Sequence, residues 1–135
     1  MVELLRVLAE WLSFFFTRAG YRLIDSEVGT SYGDALIEFA SEKLGWRLVR
    51  DRSQIFLDCR PARPKHKSRE WYSTDVLIRL MTGRSLESSE LTKDVAKWIE
   101  ANLSDIEMIF AADRIEETQR ELKKLEQLRS KELFG

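Results

Sequence analysis

Trp46-Arg47-Leu48-Val49-Arg50, then Asp51-Arg52-Ser53, then Gln54-Ile55-Phe56-Leu57-Asp58-Cys59-Arg60: two apolar-rich runs flank a turn. Within each run the period is two. Trp46, Leu48 and Arg50 alternate with Arg47 and Val49, while Ile55, Leu57 and Cys59 alternate with Phe56 and Asp58. Successive side chains of a strand point to opposite faces, so this pattern describes a hairpin with one face on a core. Tyr21 to Val28 and Ala35 to Ala40 share the character; Ala35, Ile37 and Phe39 alternate with Asp34 and Glu38. Gly29 to Gly33 and Ser41 to Lys43 supply turns. Four short strands with short connections read as an antiparallel meander covered on one side by helices.

The flanks are helical. Val2 to about Arg18 reads as a helix stopped at Gly20. Glu3, Arg6, Glu10, Ser13 and Thr17 form one narrow polar stripe, and nearly everything else on it is apolar. So wide an apolar surface makes the helix either central or the seam of a homodimer. After the sheet, Pro61-Ala62-Arg63-Pro64-Lys65-His66-Lys67-Ser68-Arg69 has no period and reads as a loop, which Trp71 and Tyr72 staple to the core. Ser73 or Thr74 caps a helix with Val76, Leu77, Leu80 and Met81 inward and Gly83 as its stop. Ser88 or Ser89 opens another, with Leu91, Val95, Trp98 and Ile99 inward. Ser104 and Glu107 have capping-box spacing, with Leu103 placed to staple onto Met108. Asp113 and Glu116 repeat the box, which predicts a break near Ala112 and a last helix from Arg114 to about Glu132. Arg129 occupies a position that a coiled-coil seam needs apolar, so that helix docks through a thin stripe. The expected class is α+β: an N-terminal helix, a four-stranded antiparallel meander, then four or five helices packed on one face.

Composition narrows the function classes. At 135 residues the chain has the size of a single domain, taken as 1–135. With 44% hydrophobic and 33% charged residues it is neither disordered nor membrane-like. Glu3, Arg6 and Glu10 break the apolar character before Trp11-Leu12-Ser13-Phe14-Phe15-Phe16, and no stretch approaches the ~18 apolar residues of a membrane span. The expectation is a cytoplasmic protein with no membrane partner. Cys59 is the sole cysteine, which fits a reducing compartment.

Catalytic chemistry finds little material. His66, the sole histidine, sits among prolines and lysines without a rigid orienting partner. Cys59 falls on the apolar face of its strand, where a thiol is inert. One histidine and one cysteine cannot hold zinc, so no catalytic residue, metal or cofactor is expected. Asp51 and the triplet Asp58-Cys59-Arg60 resemble the nuclease pattern of an acid on one strand and acid-x-Lys on the next, with Arg60 where lysine belongs. A metal-dependent nuclease is therefore a remote alternative. Gly29-Thr30-Ser31-Tyr32-Gly33 precedes a strand and not a helix, so it is no phosphate loop.

Charge placement is the unusual feature. Seven basic residues (Arg50, Arg52, Arg60, Arg63, Lys65, Lys67 and Arg69) stand against Asp51 and Asp58 alone. A local excess of +5 in a chain of net charge −1 leaves −6 for the rest. Arg52, Arg60, Arg63, Lys65, Lys67 and Arg69, with Trp71, form the expected contact surface. Its partner is a protein with an acidic surface or, alternatively, nucleic acid bound through phosphates and stacking. A pI near 5.9 favours the protein partner.

The order of elements, with the turn Gly29-Thr30-Ser31-Tyr32-Gly33-Asp34, the hairpin Arg50-Asp51-Arg52-Ser53-Gln54-Ile55-Phe56-Leu57-Asp58, then Glu70-Trp71-Tyr72 and the ending Leu133-Phe134-Gly135, resembles small uncharacterised bacterial proteins. Some of these are similar in build to immunity proteins of toxin systems. That resemblance implies a non-enzymatic binding domain of immunity or adaptor type, and assigns no individual residue.

Overall fold

The alternation at the centre of the chain forms a meander, and the meander gains a fifth strand. A computed structural model describes residues 1–30, 33–62 and 71–134. In chain order the elements are α1 (Val2–Trp11), α2 (Phe14–Thr17), β1 (Arg22–Thr30), β2 (Gly33–Ala40), β3 (Leu44–Asp51), β4 (Gln54–Pro61), β5 (Tyr72–Ser73), α3 (Thr74–Thr82), α4 (Lys93–Ile109) and α5 (Ile115–Phe134). The strands follow one another across the sheet, β1-β2-β3-β4-β5, with every pair antiparallel. Tyr72 pairs with Cys59 and Ser73 with Asp58, so the expected aromatic staple is a short strand. The outer backbone of β4 needs hydrogen-bond partners, and β5 supplies some of them.

Period two sorts the side chains as the sequence implies. One rung of the inner face runs Phe39, Trp46, Cys59, Tyr72, and the next runs Ile37, Leu48, Leu57. Leu4, Val7 and Leu8 of α1, Val76 and Leu77 of α3, and Ile99, Leu103 and Ile106 of α4 join these strand residues in one apolar cluster. Phe15 is its aromatic hub, with ring centroids 4.9 Å from Tyr21, 4.9 Å from Phe39 and 5.1 Å from Trp46. Cys59 is fully buried here, and burial pushes its thiol pKa well above the ordinary value.

Three expectations change. The first helix breaks at Leu12–Ser13 into α1 and α2. The Ser13 carbonyl accepts from the Phe16 and Thr17 amides, and the break lets Phe14 and Phe15 both turn inward. Val2 and Leu5 of α1 stay exposed. The second change concerns α4, which is one continuous helix opened by Thr92, whose Oγ1 accepts from the Val95 amide at 3.2 Å; neither Ser88 nor Ser89 caps it. Ser104 is exposed in the middle of that helix, and Met108 points outward, away from buried Leu103. The spacing of a capping box is also the i, i+3 spacing inside a helix, and Ile99, Leu103 and Ile106 carry the apolar stripe straight through. As a third change, the described helices after the sheet number three, not four or five.

Other signals act as read. Gly83 ends α3 in the left-handed region at φ 79°, its amide donating to the Arg79 carbonyl. A turn through residues 110–114 separates α4 from α5. Among the described residues, no helix is long and apolar enough to cross a membrane.

Candidate functional site

On the face opposite the apolar cluster, one rung crosses all five strands. Asp25 pairs with Glu38, Glu38 with Arg47, Arg47 with Asp58, and Asp58 with Ser73. Glu38, Arg47, Asp58 and Ser73 each sit one step from an inward-facing apolar neighbour, and Asp25 sits one step from Ser26, the partner of inward Ile37, so the alternation that buries Phe39 and Trp46 turns this polar set outward. Arg47 Nε donates to Asp58 Oδ2 at 2.9 Å. Arg60, diagonal to Arg47, donates through Nη2 to Glu38 Oε1 at 3.2 Å. Both guanidiniums lie against the Trp71 ring, with Cζ at 4.8 Å (Arg47) and 4.3 Å (Arg60) from its centroid. Burial pushes the Asp58 carboxyl above the usual aspartate value, and the Arg47 guanidinium pulls it back in part.

The far end of the rung is locked from α5. Arg129 Nη1 donates to Ser73 Oγ at 2.9 Å and to both oxygens of buried Asp75, at 2.9 and 3.0 Å. At its other end the rung runs out at β1. There Asp25 Oδ1 accepts from the Ser26 amide at 2.8 Å, its one partner among the described residues. A depression of about 410 Å³ over this face is lined by Asp25, Glu27, Leu36, Glu38, Arg47, Arg60 and Trp71.

Of the expected contact residues, the described ones are Arg52, Arg60 and Trp71, and these three do not form one surface. Arg60 and Trp71 meet, and Arg47 joins them. Arg52 stands at the exposed β3–β4 turn with φ 52°, and from the start of β4 at Gln54 to Arg60 the strand runs six residues, or about 20 Å at ~3.3 Å per residue. Arg63, Lys65, Lys67, Arg69 and His66 lie outside the described residues. Two cations of the basic stretch are engaged within the chain: Arg60 with Glu38, and Arg50 with Glu3 at 2.8 Å and Asp34 at 3.2 Å. Asp51 and Asp58 do not converge either. Asp51 faces Gln54, four residues short of Asp58 on β4, a separation of about 13 Å that no single ion spans.

The feature the sequence reading missed is the β1 edge. Among the described residues β1 pairs with β2 alone, so along nine residues its other side carries backbone groups without a strand partner there. Leu23, Ile24 and Val28 are 59%, 60% and 63% exposed on it. Their apolar character, β-branched at Ile24 and Val28, marks them as strand residues, and nothing local marks the strand as an edge.

A second, larger cleft of about 620 Å³ lies between the end of α2, the β2–β3 turn and α4. Arg18, Arg22 and Lys43 face Glu42, Glu100 and Glu107 in its lining, Arg18 is ion-paired to Glu100, and Glu107 accepts from the Tyr21 hydroxyl at 2.8 Å. Its lining charges are mixed, three of each sign.

Compared with protein-family models, with curated proteins and with solved structures, the chain matches none.

Proposed function

We propose that this chain is a non-enzymatic protein-binding domain that accepts an extended segment of a partner along β1, by strand addition. The observation that carries the reading is the β1 edge itself: nine residues long, without a second strand partner among the described residues, and bearing three exposed apolar side chains. Soluble proteins blunt such edges or cover them, because main-chain groups and apolar side chains in one exposed row recruit other strands. Here the blunting is partial. The register shifts between Leu23 and Asp25, a bulge that disturbs pairing locally, and Asp25 occupies the Ser26 amide. From Asp25 to Val28 the strand runs in unbroken register with β2, and at Gly29 the backbone turns to φ 65°. The helices bury the opposite side of the sheet's centre, so strand addition leaves the core untouched. The likeness to immunity proteins points in the same direction, toward a surface that acts by occupying a partner.

The test is selection of eight- to ten-residue peptides from a displayed random library on the full chain, followed by alternate N-methylation of the enriched peptides. Strand addition predicts that methylating one set of alternate amides abolishes binding while methylating the other set leaves it, because only one set faces β1. Ser26→Pro should also abolish it, since its amide serves Asp25 and proline blocks an edge. Peptides that bind Ser26→Pro as well as wild type, or that tolerate both methylation patterns, refute the reading.

A further inference from the structure

The polar rung crossing the outer face stops at an acid. From the β5 side its members are Ser73, Asp58, Arg47, Glu38 and Asp25. Asp58 is matched by Arg47 and Glu38 by Arg60. Asp25 has only the Ser26 amide among the described residues. A sixth strand beside β1 would place one of its side chains directly opposite Asp25 on this face, and others opposite Ser26 and Val28 on the inner face.

We infer that the strand taken up by β1 carries lysine or arginine at the position facing Asp25 and an apolar residue at the position facing Val28, and that it comes from a different protein, not from a second copy of this chain. The inference rests on the strand-addition reading above and adds the partner's chemistry. Directly opposed side chains of adjacent strands interact most strongly, opposite charges favourably and like charges unfavourably. A cation facing Asp25 extends the rung's own pattern of matched charges. Glu27 is already engaged within the chain and is not needed for the argument. On the inner face Val28 is 63% exposed, and an apolar neighbour removes that surface from water.

A second copy of β1 does not supply that cation. Pairing β1 antiparallel with its own copy, about a two-fold axis, must keep outer-face residues opposite outer-face residues. Centred on Asp25, Ser26 or Glu27, the axis sets Asp25 against Asp25, Glu27 or Gly29; centred on Val28, it leaves Asp25 past the partner strand's end at Thr30. None of these registers, which lie beyond the bulge at Leu23–Asp25, places a cation opposite Asp25. The edge thus matches a basic, alternating segment better than its own kind.

Two labelled eight-residue peptides test this, one alternating valine with lysine and one alternating valine with glutamate. Anisotropy titrations use the full chain as wild type, Asp25→Lys and Ser26→Pro, with sedimentation velocity on the wild type. The lysine peptide should bind wild type about fivefold or more tighter than the glutamate peptide, and Asp25→Lys should invert the order. Ser26→Pro should lose both, and the wild type should sediment as a monomer. Equal binding of the two peptides, lost in Ser26→Pro, overturns the charge rule and leaves strand addition standing. Peptide binding indifferent to Ser26→Pro overturns strand addition itself, and binding of neither peptide to wild type counts against both. A wild-type dimer dispersed by Ser26→Pro overturns the choice of partner in favour of a second copy.

Discussion

Replacing Arg129 by methionine isolates one long-range contact that positions the polar face. Arg129 keeps Asp75, Ser73 and, through β5, the strand segment next to Trp71 in place. Methionine keeps much of the apolar stem, so the change removes mainly the charge and its donors. The Asp75 side chain is 8% exposed and that of Arg129 36%. Orphaning one member of a fully buried pair costs about 3–5 kcal/mol. Water reaches the outer side of this guanidinium, and Asp75 lies in the first turn of α3, where the helix N-terminus offsets about 0.3–1 kcal/mol. The expected loss is therefore about 2–3 kcal/mol. Urea unfolding followed by circular dichroism should show the midpoint falling by about 1–2 M, given slopes of roughly 1–3 kcal/mol/M. Asp75→Asn removes the charge left behind, so the double variant should be destabilised by at least about 1 kcal/mol less than the two single losses added together. Arg129→Met within about 0.5 kcal/mol of wild type, or additivity with Asp75→Asn, would refute the lock.

Other expectations follow from single residues. Asp58 has a folded-state pKa raised above its unfolded value of about 3.9, so its contribution to stability is full below that value and is lost as pH rises through the folded one. Asp58→Asn removes this titration; its stability relative to wild type should be more favourable at pH 7 than at pH 3, read from urea midpoints at the two values. Cys59 should resist a thiol-specific disulfide reagent at neutral pH in the native chain and react at once when the chain is unfolded in urea, because burial both covers the sulfur and keeps it protonated. Rapid native labelling would show the rung Phe39-Trp46-Cys59-Tyr72 to be open. Gly83→Ala forces an L side chain to φ 79° and should cost about 1 kcal/mol or more in the same unfolding assay.

Local chemistry made much of this fold legible. Alternation through residues 35–60 identifies the central strands and sorts Phe39, Trp46, Leu48, Leu57 and Cys59 to one face, because strand geometry ties side-chain direction to parity alone. Gly83 ends its helix as read, since the left-handed cap depends on a residue type and its immediate neighbours. Ser104 misled for the complementary reason: a cap and a helix interior share the same spacing, and burial of Ile99, Leu103 and Ile106 decided between them.

The candidate site was the less legible part. Charge clustering in the chain drew attention to the basic stretch, yet Arg60 is engaged by Glu38, 22 positions earlier, and Arg129 by Asp75, 54 positions earlier. Whether a charge is free or matched depends on what folding brings beside it. Composition and period determined that there would be a sheet with one apolar and one polar face. Only the tertiary arrangement decided that β1 lies at its edge, that five polar residues line up in one rung, and that Asp25 ends it. A strand's residues describe the two faces it presents, whereas its neighbours along the sheet are chosen by the whole chain closing around one core.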